Sequence, residues 1–217
     1  MFFKAVIFDL DGTLLDTLSD LGVSMNTVLE RHGFPVHDLE SYKYMIGDGV
    51  EFLVKRALPE SITDEDSIKE FIIEYRSEYK KNWNNKSRPY DGIVELIESI
   101  HALGFRLAVL SNKPHDSTET CVREFLPYDK FDIIMGHRPG KNPKPDPSGA
   151  IEIAEQFKIS PEQILYMGDT SVDMKTAVAA GMYPVGVLWG FRTGKELLES
   201  GAKDLIDKPG DLLQIVR

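Results

Sequence analysis

The sequence predicts an α/β protein: a doubly wound parallel sheet that carries an inserted all-helical domain. Three observations predict it. Short apolar runs alternate with helical patterns along most of the chain. One interval, residues 16–86, holds helical patterns and no convincing strand. Acidic, hydroxyl, amide and lysine side chains fall just past several of the apolar runs, where an open parallel sheet presents its ligand-binding edge.

The first run, FKAVIF (3–8), is near-continuously apolar, the pattern of a strand covered on both faces. It ends in DLDGTLLDT (9–17), which sets the carboxylates of Asp9 and Asp11 one residue apart. Like charges at that spacing repel, and a metal ion would make the arrangement sensible. Asp16 reads as the N-cap of the helix that follows. Helical patterns then run over Leu18 to Arg31, Val50 to Ala57 and Ile68 to Lys81, with the acidic TDEDS (63–67) as a charged helix start.

The polar KKNWNNKSRPYDG (80–92) leads back to alternation. Ile93, Leu96, Ile97 and Ile100 repeat at helical spacing, with Gly104 as the stop. RLAVL (106–110) reads as the second strand, followed by Ser111, Asn112 and Lys113. FDIIM (131–135) is the third, with HRPGKNPKPDP (137–147) and Lys144 beyond it. A helix over 148–159 precedes QILYM (163–167), and GDTSVD (168–173) then supplies Asp169 and Asp173. A helix over 171–182 and the run PVGVL (184–188) follow, and the chain closes with a short edge strand, a Pro-Gly turn and a helix over 204–216. The expected domains are a core of 1–15 with 87–217 and a helical insertion of 16–86.

Composition narrows the function. The 217 residues are 42% hydrophobic and 28% charged, an ordinary globular balance. A net charge of −10 argues against a nucleic-acid partner, so an anionic ligand would need locally supplied positive charge. No apolar run is long enough to span a bilayer, and neither a membrane partner nor a secretory leader is expected. The single Cys121 excludes an internal disulfide and suits a reducing compartment; the expected location is cytoplasmic and the expected state a monomer or homodimer.

The stretches DLDGTLLDT, LSNKP, NPKPDP and GDTSVDM, in that order, resemble the four motifs of the haloacid dehalogenase-like (HAD) phosphatase superfamily. Within it, IGDGVEFLVKRALPE (46–60) looks most like the phosphoglycolate phosphatases, which commonly show Gly-Asn-Gly where this chain has Gly47-Asp48-Gly49. The resemblance implies a Rossmann-like core with a helical cap. It also implies Mg²⁺-dependent hydrolysis of a small phosphorylated metabolite, 2-phosphoglycolate being the candidate. Asp9 would be the nucleophile and Asp11 the general acid and base. The metal would be held by Asp9, the Asp11 backbone carbonyl and Asp169, while Asp173 would hold a metal-bound water or orient Lys144. Thr13, Ser111, Asn112 and Lys144 would bind phosphate oxygens, and Gly12 would let backbone approach them. Gly47, Gly49, Arg56 and Lys113 are candidates for contacting the rest of the substrate.

Blander readings stand beside these. Ser111 and Asn112 could be a helix cap and a turn, Asp173 a first-turn helix residue, and Arg56 a solvated side chain. A phosphosugar mutase or a pyrophosphatase would use the same constellation. A phospho-accepting switch clusters similar groups, but on a shorter chain with its aspartate on a later strand.

Overall fold

The computed structural model describes residues 3–216. The chain forms two compact units, one running up to Leu15 and resuming at Pro89, the other Asp16–Arg88.

The first unit is built on β1 (Ala5–Phe8), whose four residues are all buried, as its unbroken apolar run requires. The chain leaves it through β2 (Leu15–Asp16) and, after the second unit, returns through β3 (Arg88–Pro89); these two short strands pair with each other.

The second unit holds α1 (Leu18–Arg31), α2 (Leu39–Tyr42), α3 (Val50–Ala57) and α4 (Glu65–Asn82). Helix α1 packs on α4, burying Met25, Val28 and Leu29 on one side and Phe71, Tyr75 and Tyr79 on the other. The acidic start of α4 is a true cap, with Asp64 accepting from the Ser67 amide at 2.8 Å. The cap expected at Asp16 is not there. Thr17 is the N-cap of α1, and Asp16 lies in β2 facing Arg88 at 3.4 Å. A nearby guanidinium offers that carboxylate more than the helix start does.

After β3 come α5 (Ile93–Ala102), β4 (Arg106–Pro114), α6 (His115–Phe125), β5 (Ile133–His137), α7 (Ser148–Phe157) and β6 (Ile164–Gly168). The unit is completed by α8 (Ser171–Ala179), β7 (Tyr183–Val187), α9 (Gly194–Glu199), β8 (Asp204–Ile206) and α10 (Leu212–Ile215). Six strands form one sheet in the order β5-β4-β1-β6-β7-β8, every pairing parallel. The apolar stripe of α5 is buried at all four expected positions, and Gly104 follows its end with φ +84°. Strand β4 outruns the predicted RLAVL: its register slips between Leu110 and Pro114, and Ser111, Asn112 and Lys113 belong to the strand, neither a turn nor a helix cap.

Strands β1 and β6 are neighbours in the sheet, and the connections that leave them diverge, from β1 toward β4 and from β6 toward β7. The crevice past their carboxyl ends is therefore the switch point at which such sheets bind ligands. Among the described residues, no helix is long and apolar enough to cross a membrane.

Candidate active site

Asp9 is the first residue beyond β1, and Asp169 the first beyond β6. The two strands pair with Phe8 opposite Met167, and the Asp9 amide donates to the Met167 carbonyl at 2.9 Å, so the two carboxylates leave the sheet side by side. Asp173, in the first turn of α8, completes a group in which one carboxylate oxygen from each residue lies within 4.8 Å of the other two. All three residues are buried.

Five of the six carboxylate oxygens have a defined partner. Asp173 Oδ2 accepts from the amide and hydroxyl of Thr170, at 3.1 and 2.7 Å, which closes a capping box on α8. Its Oδ1 accepts from Lys144 Nζ at 2.7 Å. Asp173 is thus a first-turn helix residue and a partner of Lys144 at once. Lys144 Nζ also lies 2.8 Å from Asp9 Oδ1 and donates to the Leu110 carbonyl at 3.1 Å, so its three protons have three acceptors. Asp169 Oδ1 accepts from the Thr13 hydroxyl, and its Oδ2 from the Phe191 amide, each at 2.9 Å.

Two of these three buried carboxylates share one ammonium and the third has none, and the protonation of the group follows from that imbalance. Burial and the Asp173 charge push Asp9 up to about 7, against the pull of Lys144. Burial, Asp173 and Asp9 hold Asp169 well above the usual carboxylate range. Burial opposes the charge on Lys144, but Asp173 and Asp9 outweigh it and keep the ammonium well above its ordinary value. A set of hard oxygen donors short of positive charge fits a divalent cation of the Mg²⁺ kind.

Around this centre the remaining candidates divide. Gly12, at φ +86°, stands where a β-carbon would collide with the Asp169 carboxylate, so only glycine lets the loop after β1 pass. The Lys113 ammonium reaches both oxygens of Asp11, at 3.0 and 3.1 Å, with little of either side chain exposed. The Asn112 side chain clasps the backbone of Lys144, donating to its carbonyl at 3.0 Å and accepting from its amide at 2.8 Å. The Ser111 hydroxyl accepts from the Lys113 amide at 3.2 Å. Thr13 is fully buried with its hydroxyl on Asp169. Asp9, Asp169, Asp173, Lys144, Thr13, Ser111, Asn112, Asp11 and Lys113 are therefore gathered within one unit.

Gly47, Gly49 and Arg56 belong to the helical unit. Both glycines have positive φ, +120° and +98°. Arg56 pairs with Asp48 at 2.6 Å and donates to the Met45 carbonyl at 3.1 Å, which closes the turn ahead of α3 upon itself. Sequence reasoning missed Trp189 and Phe191, beyond β7. The Trp189 indole donates to the Thr13 carbonyl at 3.0 Å, and the Phe191 amide holds Asp169. Their signal was position, just past a strand on the same sheet edge.

Residues 6–187 match the family model described as haloacid dehalogenase-like hydrolase. The chain belongs to that family. Among curated relatives, the phosphoglycolate phosphatase of Nitrosospira multiformis is 36% identical over 199 residues, 90% of this chain and 88% of its own length. That of Mannheimia succiniciproducens is 33% identical over 223 residues, covering 99% of this chain and 98% of its own. The solved structure of a candidate phosphoglycolate phosphatase from Lactobacillus delbrueckii subsp. bulgaricus superposes with a TM-score of 0.93 at 29% identity, covering 100% of this chain and 99% of that one. Within the family, the chain stands with the phosphatases.

Proposed function

We propose that the protein is a Mg²⁺-dependent phosphatase that hydrolyses a small phosphate monoester, 2-phosphoglycolate first among them, through an aspartyl-phosphate at Asp9. The observation that carries this reading is the buried group of Asp9, Asp169 and Asp173, with Lys144 paired to Asp9 and Asp173, at the switch point of the sheet. The activity named for the relatives supports the choice of substrate.

In the first step a carboxylate oxygen of Asp9 attacks phosphorus, and the bond from phosphorus to the ester oxygen breaks. Asp11 gives the departing alkoxide its proton. In the second step water attacks phosphorus and Asp11 takes its proton. The bond to Asp9 breaks, releasing phosphate and restoring the carboxylate. Lys144 fixes the rotation of the Asp9 carboxylate and, with Ser111 and the Asn112 amide, faces charge on the transferring group. The Asn112 side chain holds Lys144 in place, Lys113 orients Asp11, and Thr13 orients Asp169. Asp9, Asp169 and the Asp11 carbonyl would hold Mg²⁺, which supplies charge neutralisation for the phosphoryl group. The helical unit is read as a cap, with Gly47, Gly49 and Arg56 choosing the leaving group. A monomer or homodimer in the cytoplasm suits this role.

Phosphate release from a panel of phosphomonoesters and pyrophosphate, with and without Mg²⁺ and with Asp9→Asn as control, tests the reading. Selective Mg²⁺-dependent release from 2-phosphoglycolate is expected. Preference for another ester would keep the chemistry and discard that substrate. Phosphorylation of Asp9 without turnover would point instead to a mutase or a switch, and metal-independent release would overturn the cation's role.

A further inference from the structure

The segment that follows β7, Trp189-Gly190-Phe191, has no part in the steps above, yet it touches the site at three points. Trp189 Nε1 donates to the Thr13 carbonyl at 3.0 Å. The Phe191 amide donates to Asp169 Oδ2 at 2.9 Å. Gly190 lies between them, where a β-carbon would collide with the Asp169 β-carbon and stand 2.6 Å from the Gly12 carbonyl oxygen. The Phe191 ring is buried, and one of its atoms lies 2.8 Å from where a Gly12 β-carbon would be. This segment is therefore in van der Waals contact with the loop after β1 and with the carboxylate after β6 at once.

These contacts close a ring. Trp189 holds the backbone of Thr13, Thr13 holds one oxygen of Asp169, and Phe191 holds the other. One donor on each oxygen fixes the carboxylate plane while leaving each oxygen a further lone pair. The donors come from two different segments, and the Trp189 indole ties those segments together. The ring of Tyr90 packs against that indole, with centroids 6.4 Å apart.

We propose that Trp189-Gly190-Phe191 is a positioning element for the divalent cation: it sets the Asp169 carboxylate in its binding orientation before the cation arrives. The inference rests on the reading of Asp169 as a metal ligand. Groups that orient a ligand from behind typically change metal affinity by about 10–100-fold when removed.

The test is cation binding by the full chain without substrate, followed as loss of the free Mn²⁺ resonance signal and, for Mg²⁺, by calorimetry. Three variants are compared with the parent protein. Trp189→Phe keeps an aromatic ring and removes only the N–H; Gly190→Ala forces Asp169 and the loop after β1 apart; Asp169→Asn marks the ligand itself. Trp189→Phe should weaken Mn²⁺ binding about tenfold, and Gly190→Ala about a hundredfold. The melting temperature of Trp189→Phe in chelator should stay near that of the parent, and raising Mg²⁺ should restore its kcat with KM for the ester unchanged. If Gly190→Ala does not fold, Trp189→Phe carries the test. If Asp169→Asn binds Mn²⁺ as the parent does, the metal reading of Asp169 fails. If Asp169→Asn loses binding while Trp189→Phe retains the parent's affinity, the positioning role is wrong and the metal reading stands.

Discussion

The two units bury acidic side chains in opposite ways. In the helical unit, Asp20 is buried on α1 and accepts from the amides of Lys86 and Ser87 and from the Ser87 hydroxyl, at 2.8 to 3.1 Å. Glu78 on α4 pairs with Arg31 and accepts from Lys81 and Asn82, and the Arg31 hydrogen bond holds its carboxyl below the usual range. Each acid there has several donors of its own, and each ties two segments together. In the sheet unit, Asp9, Asp169 and Asp173 crowd together with Lys144 paired to Asp9 and Asp173, and Asp9 and Asp169 are pushed up. Buried acids with donors of their own tie segments together, whereas buried negative charge in surplus marks a candidate ligand site.

The sharpest way to break this contrast is Asp9→Asn. Turnover should fall by at least about a thousandfold, as expected for loss of a nucleophile. The melting temperature at pH 8 in chelator should not fall, because a repelled carboxylate has been removed. Substantial residual turnover would sink the assignment of Asp9.

Lys144→Met acts in the other direction. It strips the shared counter-charge from Asp9 and Asp173, and breaking a buried pair in this way costs about 3–5 kcal/mol. Denaturant unfolding should register that loss, and a variant as stable as the parent would show the pairing to be incidental.

Protons and metal should compete in the sheet unit. The Asp9 carboxyl rises from 3.8 to about 7 on folding, so its contribution to stability is complete below pH 4 and is lost as pH climbs through 7. A cation that favours the ionised form reverses that loss. Mg²⁺ at a hundred times its Kd should add about 2.7 kcal/mol, with the gain in melting temperature larger at pH 8 than at pH 5.5. An equal gain at both would mean that the cation binds elsewhere.

The smallest effect belongs to the helical unit. Asp20→Ala leaves buried amides without an acceptor and should cost about 1–3 kcal/mol, with phosphate release per folded molecule unchanged. A fall in kcat at full Mg²⁺ would blur the distinction between the units.

Much of this arrangement was legible in the sequence, for physical reasons. Strands buried on both faces must be apolar throughout, so β1, β6 and β7 stood out, as did the apolar run of the half-buried edge strand β5, and the residues after them marked one sheet edge. The end of β4 did not stand out, because Ser111, Asn112 and Lys113 are polar residues whose burial the site itself satisfies. Asp16 misled because an acidic residue ahead of a helix usually caps it, and the competing Arg88 lies far along the chain. Trp189 and Phe191 were missed because aromatic residues after an apolar strand read as more of the same core. What reveals them is an indole N–H and a backbone amide, and neither the direction of a side-chain donor nor the partner of an amide is written in residue type.

The pairing of β2 with β3 has a consequence for the history of such proteins. The chain departs from the sheet unit and re-enters it through adjacent strands, so everything between Asp16 and Arg88 is attached at a single doorway. An insertion with neighbouring ends can be lengthened, shortened or exchanged without disturbing the register of the strands that Asp9 and Asp169 follow. Under that arrangement the helical unit can vary in sequence and size while the sheet that carries the acidic group keeps its form.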